Sequence, residues 1–218
     1  QPATKAQVTA GKEMTSALTT DETLTVSGIK ISLKSGMTID DVISTINGKS
    51  TETGLSASKT GADGTGTGNY ITLKSTNFGS RYSFNVSSSL SSSSVSSGFG
   101  LTLMSPDNPA GETGNGKGQK GHDVTGTING ETATGSGQVL SVNSEGSRSA
   151  VNGISLLVTS TTSLQTNVRF TKGIGASMQD LLGRLTSATG LFTTVQESLN
   201  KSIDATTENI ASMAEKLT

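Results

Sequence analysis

Gly36-Met37-Thr38-Ile39-Asp40-Asp41-Val42-Ile43-Ser44-Thr45-Ile46-Asn47-Gly48 is the stretch around which the rest of the chain is organised. Thr38 suits an N-cap, because its hydroxyl can accept from the free N–H groups of a first helical turn. Asp40 and Asp41 follow where the helix dipole favours negative charge. Ile39, Val42, Ile43 and Ile46 then fall at i, i+3, i+4 and i+7, one apolar stripe on a short helix. Asn47-Gly48 predicts a left-handed stop. Upstream, Leu24 and Val26 alternate with polar residues, and Ile29, Ile31 and Leu33 alternate in the opposite phase. Ser27-Gly28 is the turn that shifts the phase, so the two runs predict a hairpin. Downstream, Gly54-Leu55-Ser56-Ala57-Ser58 is a return strand, and the helix stripe is expected to pack on a sheet of these three strands.

The order of strand, glycine turn, strand, Gly-x-Thr-Ile-x-Asp-Val-Ile-x-x-Ile-Asn and Gly-Leu-x-Ala-Ser resembles the hook-IN motif of bacterial flagellar axial proteins, which occurs in flagellins and in filament cap proteins. The likeness covers about residues 24–58.

Composition sets the outer limits. Only 31% of the 218 residues are hydrophobic and 3% aromatic, and glycine, at 27 residues, is nearly twice as frequent as usual. Such a chain builds thin cores of Val, Ile and Leu held by strand ladders, with little material for a deep pocket. The net charge is -1, with 16 basic residues scattered among 17 acidic ones. Nucleic-acid binding needs clustered Lys and Arg, so it is not expected. There are no cysteines, hence no disulfide framework and no thiol metal site. No apolar run approaches ~20 residues, and no cleavable signal is visible at the start, so membrane insertion is not expected. Gln1 at the start and a helix still running at Thr218 are read as marks of a fragment of a longer chain.

Residues 1–21 are polar and rich in Thr, Ala and Lys, an expected extended lead-in. Residues 22–105 are expected to form a first α+β domain. Within it, Gly-Ala-Asp-Gly-Thr-Gly-Thr-Gly-Asn (61–69) reads as a strand connection: it lacks the Lys-Ser/Thr ending and following helix of a phosphate loop. Its lone Asp63 lacks the acidic spacing of a calcium loop. Tyr70, Ile71 and Leu73, then Tyr82, Phe84 and Val86, predict two strands, and Phe99, Leu101 and Leu103 one more. Residues 87–97 hold nine serines in eleven positions, which reads as a solvated linker or edge strand. Residues 106–121, with two prolines and five glycines, are expected to be a linker.

Residues 122–172 restart the β pattern as a second domain. Asn129-Gly130 is a strong type I′ hairpin signal, and Gly135-Ser136-Gly137 is a turn before Val139 and Leu140. Ile154, Leu156 and Val158 are expected to face Val168 and Phe170 in a second hairpin. Asp-Val-Thr-Gly-Thr-Ile-Asn-Gly-Glu-Thr-Ala-Thr-Gly-Ser-Gly-Gln-Val-Leu (123–140), with Asn-Gly-Ile-Ser-Leu (152–156), resembles the head region of filament caps. That selects the cap (hook-associated protein 2) family over flagellins. The fold class expected is α+β, a mainly antiparallel two-domain head followed by a helical coiled-coil segment.

That segment, 173–218, begins with Met178, Leu181, Leu182 and Leu185 at helical spacing. After a Ser-x-x-Gly-Leu break, Phe192, Val195, Leu199, Ile203, Thr206, Ile210, Met213 and Leu217 advance by threes and fours. Phe192, Val195, Leu199, Ile203, Ile210, Met213 and Leu217 are the expected assembly seam, weakened by Thr206 and one irregular step. The arrangement resembles the entry of cap proteins into their helical leg, without the N-terminal helices that would partner it. The likeness implies a non-enzymic protein that caps the filament as an oligomeric ring and promotes flagellin insertion. It implies self-association, with flagellin and other hook-associated proteins as partners. It also implies an extracellular place at the flagellum tip, reached without a cleaved signal peptide.

No chemistry competes with that reading. His122 is the only histidine, in a Gly-Lys-Gly-Gln-Lys-Gly-His run where a solvated role is expected, and zinc would need three or four ligands. Asp40 and Asp41 are explained by the helix start. No catalytic residue, metal or cofactor is expected. A flagellin-like protein or other surface adhesin, with host surface glycans as partner, is the alternative that the Ser/Thr/Gly-rich composition suits. A glycan hydrolase would need a pair of carboxylates in a cleft and an aromatic platform.

Overall fold

The computed structural model describes residues 1–143, 151–167, 175, 178–179, 181–183 and 191–216. The chain divides into two compact units, 1–164 and 165–218. The fold is α+β: antiparallel sheets and a C-terminal helix.

Two positive-φ residues, Ser27 (φ 47°) and Gly28 (φ 88°), turn the chain between β2 (Glu22–Val26) and β3 (Ile29–Leu33). This is the mirror-image turn that matches strand twist. β2 is central in a three-stranded sheet, with β3 on one side and β6 (Val86–Ser88) on the other. Helix α1 (Ile39–Asn47) starts with a capping box at Thr38. The Thr38 N–H and hydroxyl donate to Asp41 Oδ2 at 2.9 and 2.7 Å, and the Asp41 N–H points back at the hydroxyl. Val42 and Ile46 are buried, whereas Ile39 and Ile43 pack at the margin, partly buried.

The helix does not end in the left-handed stop expected at Asn47-Gly48. Gly48 is right-handed (φ −59°), and the short helix α2 (Ser50–Thr53) follows before Gly54 (φ 68°) closes the turn. Asn47 latches instead: its amide donates to the Ala57 carbonyl at 3.0 Å and its Oδ1 accepts the Ala57 N–H at 2.7 Å. Those bonds tie α1 to β4 (Leu55–Thr60).

The single sheet expected beneath α1 is two sheets. β4 belongs to a second sheet in the order β4-β5-β1-β7, where β5 is Tyr70–Ser75, β1 Gln7–Thr9 and β7 Lys117–Gln119. So α1 packs on β3 of one sheet and β4 of the other. Two expected segment boundaries therefore fail. The lead-in carries an interior strand, and Ala6, Val8, Ala10, Met14 and Leu18 join the core. The linker of residues 106–121 supplies β7, which pairs with β1 at Val8↔Gly118. Its glycines serve close approach rather than freedom: a Cβ on Gly116 or Gly118 would collide with Pro109.

The serine run departs in part. Val86–Ser88 is an edge strand, as one of the two readings expected, but the run is not solvated throughout, since Ser88, Ser96 and Ser97 are buried. Nor is 99–103 a strand: Phe99 is buried, but Leu101 and Leu103 are exposed.

A smaller cluster of Ala3, Val124, Ala133, Leu140, Val142 and Val151 lies under the sheet β11-β10-β9-β8. Its strands are β8 (Gly126–Ile128), β9 (Glu131–Ser136), β10 (Val139–Ser141) and β11 (Ser155–Leu157). Asn129 (φ 52°) and Gly130 (φ 83°) make the expected type I′ turn. β9 runs through Gly135 and Ser136, so the next turn is Gly137-Gln138. β11 pairs with β10, whereas Val168 and Phe170 lie outside the described residues.

In the second unit, α3 (Leu191–Glu215) is the long helix expected from the spacing. Residues 178–179 and 181–183 are helical, and Leu185 and Leu217 lie outside the described residues.

Candidate functional site

Three places in the chain bear on function: a buried carboxylate, an open cleft and an apolar helix face. The carboxylate is Glu22, in the same strand phase as Leu24 and Val26 and as deeply buried as they are. An isolated buried carboxylate is very costly. Here the serine run supplies donors: the Ser88 hydroxyl at 2.6 Å and the Ser97 N–H at 2.8 Å, with the Ser97 hydroxyl on Oε1. Glu22 thus clamps residues 88–97 onto β2. Glu22→Ala is expected to lower stability by at least about 2 kcal/mol, since buried donors left unpaired cost roughly 1–3 kcal/mol each. Urea midpoints check it; an unchanged midpoint would mean the clamp contributes nothing.

The cleft opens beside Asp123. It has a volume of about 360 Å³ and is lined by Asn77, Phe78, Arg81, Tyr82, Gln138 and Leu157, among others. Asp123 braces its floor: Oδ1 accepts from the Gly137 N–H at 2.7 Å and the Ser80 N–H at 3.2 Å, and Oδ2 accepts from the Ser80 hydroxyl. The Ser80 hydroxyl first, then the Gly137 and Ser80 N–H groups and the Arg81 charge, hold its pKa below the usual carboxylate range. Asp41 is lowered likewise by the Thr38 hydroxyl and N–H, and Asp21 by Lys34 and the Ser35 N–H.

These shifts fix the sign of an acid response. A carboxylate whose folded pKa lies below its unfolded value, about 4, stabilises the fold above that value. The contribution disappears as pH falls through the lower folded value. Stability is therefore expected to decline from about pH 4 downward, and Asp123→Asn should flatten part of that decline. Thermal melts at stepped pH from 7 to 3 read both; equal melting temperatures across the series would contradict the assignment.

His122 is exposed, and its backbone bridges to Thr4. Among the described residues no group of three His, Cys, Asp or Glu side chains is placed to hold a metal. No described helix is long and apolar enough to cross a membrane.

On α3, Phe192, Val195, Leu199, Ile203, Ile210 and Met213 are each more than half exposed. The sequence spacing put these on one face. Charged neighbours Glu197, Lys201, Asp204 and Glu208 fall between the seam positions. An apolar stripe of this length does not stabilise a helix in water by itself; burial against other helices does. α1 and its strands form the first core, and that element order decides the comparison with known families.

Residues 16–77 match the family model of the flagellin hook IN motif. The hook IN segment is under a third of the chain. It holds the Ser27-Gly28 turn, the Thr38 capping box, Glu22 and the Asn47 latch. Three solved structures are similar at 15–18% identity. The flagellar cap protein FliD D2-D3 domains from Escherichia coli are 18% identical, with 75% of this chain and 80% of that chain covered and a TM-score of 0.48. The E. coli FliD D1-D2-D3 structure is 18% identical, covering 73% of this chain at a TM-score of 0.45, and this chain spans only 46% of it. FliD (HAP2) from Pseudomonas aeruginosa PAO1 is 15% identical, covering 92% and 87% at a TM-score of 0.45. Among curated proteins there is no match.

The sequence had singled out the α1 stripe and the α3 seam; the stripe lies on α1 and the seam residues from Phe192 to Met213 lie on α3, with Leu217 outside the described residues. It missed the Glu22 clamp and the cleft. For Glu22 a signal existed, since an acidic residue in phase with buried Leu24 and Val26 must carry its own donors. The cleft is assembled from residues about 80 positions apart, and no local pattern announces it.

Proposed function

We propose that this chain is the β-rich head and the start of the helical leg of a bacterial flagellar filament cap protein. It acts as a non-enzymic assembly factor, in an oligomeric ring at the filament tip outside the cell, and promotes polymerisation of flagellin. The observation that carries this reading is the hook IN segment itself, buried as the first core of a chain that runs on into a long helix with an exposed apolar stripe. Its partners are further copies of itself, flagellin and other hook-associated proteins. The two hydrophobic clusters behave as separate folding units, with their boundaries moved to take β1 and β7 into the first. The test is mass photometry and negative-stain electron microscopy of the full-length protein, with swimming assays in a cap-deleted strain. Rings and restored motility support capping. A monomer at micromolar concentration that fails to restore swimming would overturn it.

A second reading is a flagellin-like or other surface adhesin, and the open cleft beside Asp123 is what favours it. Binding to glycan-coated surfaces without ring formation would choose it over capping.

A further inference from the structure

We infer that the cleft beside Asp123 is a binding site for a neutral saccharide. The inference borrows from the adhesin reading only its setting outside the cell and stands on the cleft's chemistry.

A pyranose presents apolar C–H faces and a rim of hydroxyls, so its sites pair ring surfaces with amides, carboxylates and guanidinium groups. The cleft contains that set. Tyr82 lines it with 43% of its surface exposed, and Phe78 lies beside it. Lys5 covers one face of the Phe78 ring, 4.9 Å from its centroid, and holds that ring in place. Val139 and Leu157, partners across β10 and β11, extend the apolar side.

The polar groups have capacity left. A carboxylate offers about four lone-pair sites. Asp123 uses three, two on Oδ1 and one on Oδ2, so Oδ2 can still accept a sugar hydroxyl. Among the described residues the Arg81 guanidinium and the Asn77 and Gln138 side-chain amides donate to no protein acceptor, so they are available to a ligand. The framework is stiff where it needs to be. Asp123 joins the Ser80 loop to the Gly137 turn, and a Cβ on Gly79 would lie only 2.8 Å from the Gly137 Cα, so the two loops touch.

Charge selects among ligands. Among the described residues that line the cleft, Arg81 is the only cationic side chain and Asp123 the only acidic one, and Arg81 contributes to the depressed pKa of Asp123. The pair leaves the lining itself close to neutral, with the Lys5 charge held against the Phe78 ring beside it, so the balanced lining favours a neutral sugar over phosphate or a sialylated end. Its openness suits one or two residues within a longer chain, rather than a small molecule sealed from water.

The experiment is a glycan array with the full-length protein, followed by calorimetry with methyl glycosides of the neutral sugars that score. N-acetylneuraminic acid and inorganic phosphate serve as the anionic probes. Tyr82→Ala and Gln138→Ala are expected to weaken binding at least about tenfold with unchanged melting temperature, because Tyr82 is exposed and the half-buried Gln138 side chain makes no hydrogen bond among the described residues. Absence of binding to any neutral glycan would overturn the proposal, as would binding indifferent to both substitutions. Preference for the acidic sugar or phosphate, lost in Arg81→Ala, would overturn the neutral assignment. Ring formation is read separately, so failure here leaves the capping role standing.

Discussion

Leu199→Glu combined with Ile203→Glu is expected to abolish ring assembly of the full-length protein while leaving the 1–164 unit folded. Both residues lie on the exposed stripe of α3, and neither belongs to either hydrophobic cluster of the 1–164 unit. Each apolar side chain of this size contributes about 1.5–3 kcal/mol when fully buried. A glutamate there loses that gain and must also be desolvated beside another helix. In a ring the defect recurs at every subunit, so a loss of a few kcal/mol per interface moves assembly by orders of magnitude in concentration. The stripe also changes step between Leu199 and Ile203, which are four apart, before the spacing resumes through Thr206, Ile210 and Met213. Such an insertion locally unwinds a coiled coil, so the double substitution strikes where the seam is already weakest. Electron microscopy of the variant beside wild type reads the outcome, with circular dichroism confirming the folded head. Intact rings would remove the seam from the assembly and weaken the capping proposal with it.

What could be read in the sequence was local. The Ser27-Gly28 turn, the Thr38 capping box and the α1 stripe each depend on residues a few positions apart, so spacing alone reveals them. The same holds for the Asn129-Gly130 hairpin and for α3. Strand β1 gave no such signal, because its three residues are buried on both faces. Gln7 and Thr9 lie under the glycine-rich loop, where a Cβ on Gly64 would fall 2.6 Å from Thr9 Oγ1. Thr9, Thr72 and Thr60 satisfy one another through a hydroxyl chain at 2.8 and 2.6 Å. Inward polarity of this kind looks like a surface segment until its partners, over 50 residues away, are known. The serine run deceives in the same manner, since two of its three buried members, Ser88 and Ser97, answer Glu22 and the third, Ser96, bonds carbonyls of the run itself. Low hydrophobic content is therefore not low burial. Paired polar groups fill part of the interior that aliphatic side chains fill elsewhere.

Ile46→Asp should unfold the first hydrophobic cluster, and Ile43→Asp should do so far less. The two positions are neighbours on the α1 stripe, and the structure separates them: Ile46 is 1% exposed, whereas Ile43 is only partly buried at the edge of the core. Truncating a buried isoleucine to alanine costs about 2–5 kcal/mol. An aspartate adds a charge with no partner among Leu24, Leu33, Leu55 and the other aliphatic members of the cluster. Against a total stability of about 5–15 kcal/mol for a typical domain, that is enough to melt the cluster at ordinary temperature. At position 43 the new carboxylate can turn toward water, so the cost is mainly the partial burial that isoleucine loses. α1 bridges β3 of one sheet and β4 of the other, and losing its anchor separates both sheets together. The second cluster, built from Val124, Ala133, Leu140 and Val142, contains no residue of α1. Hydrogen exchange resolved by peptide should therefore show Ile46→Asp losing protection across β2 to β6 while β9 and β10 keep theirs. Equal protection losses for the two substitutions would refute the burial difference. Simultaneous loss in β9 and β10 would show that the two clusters fold as one.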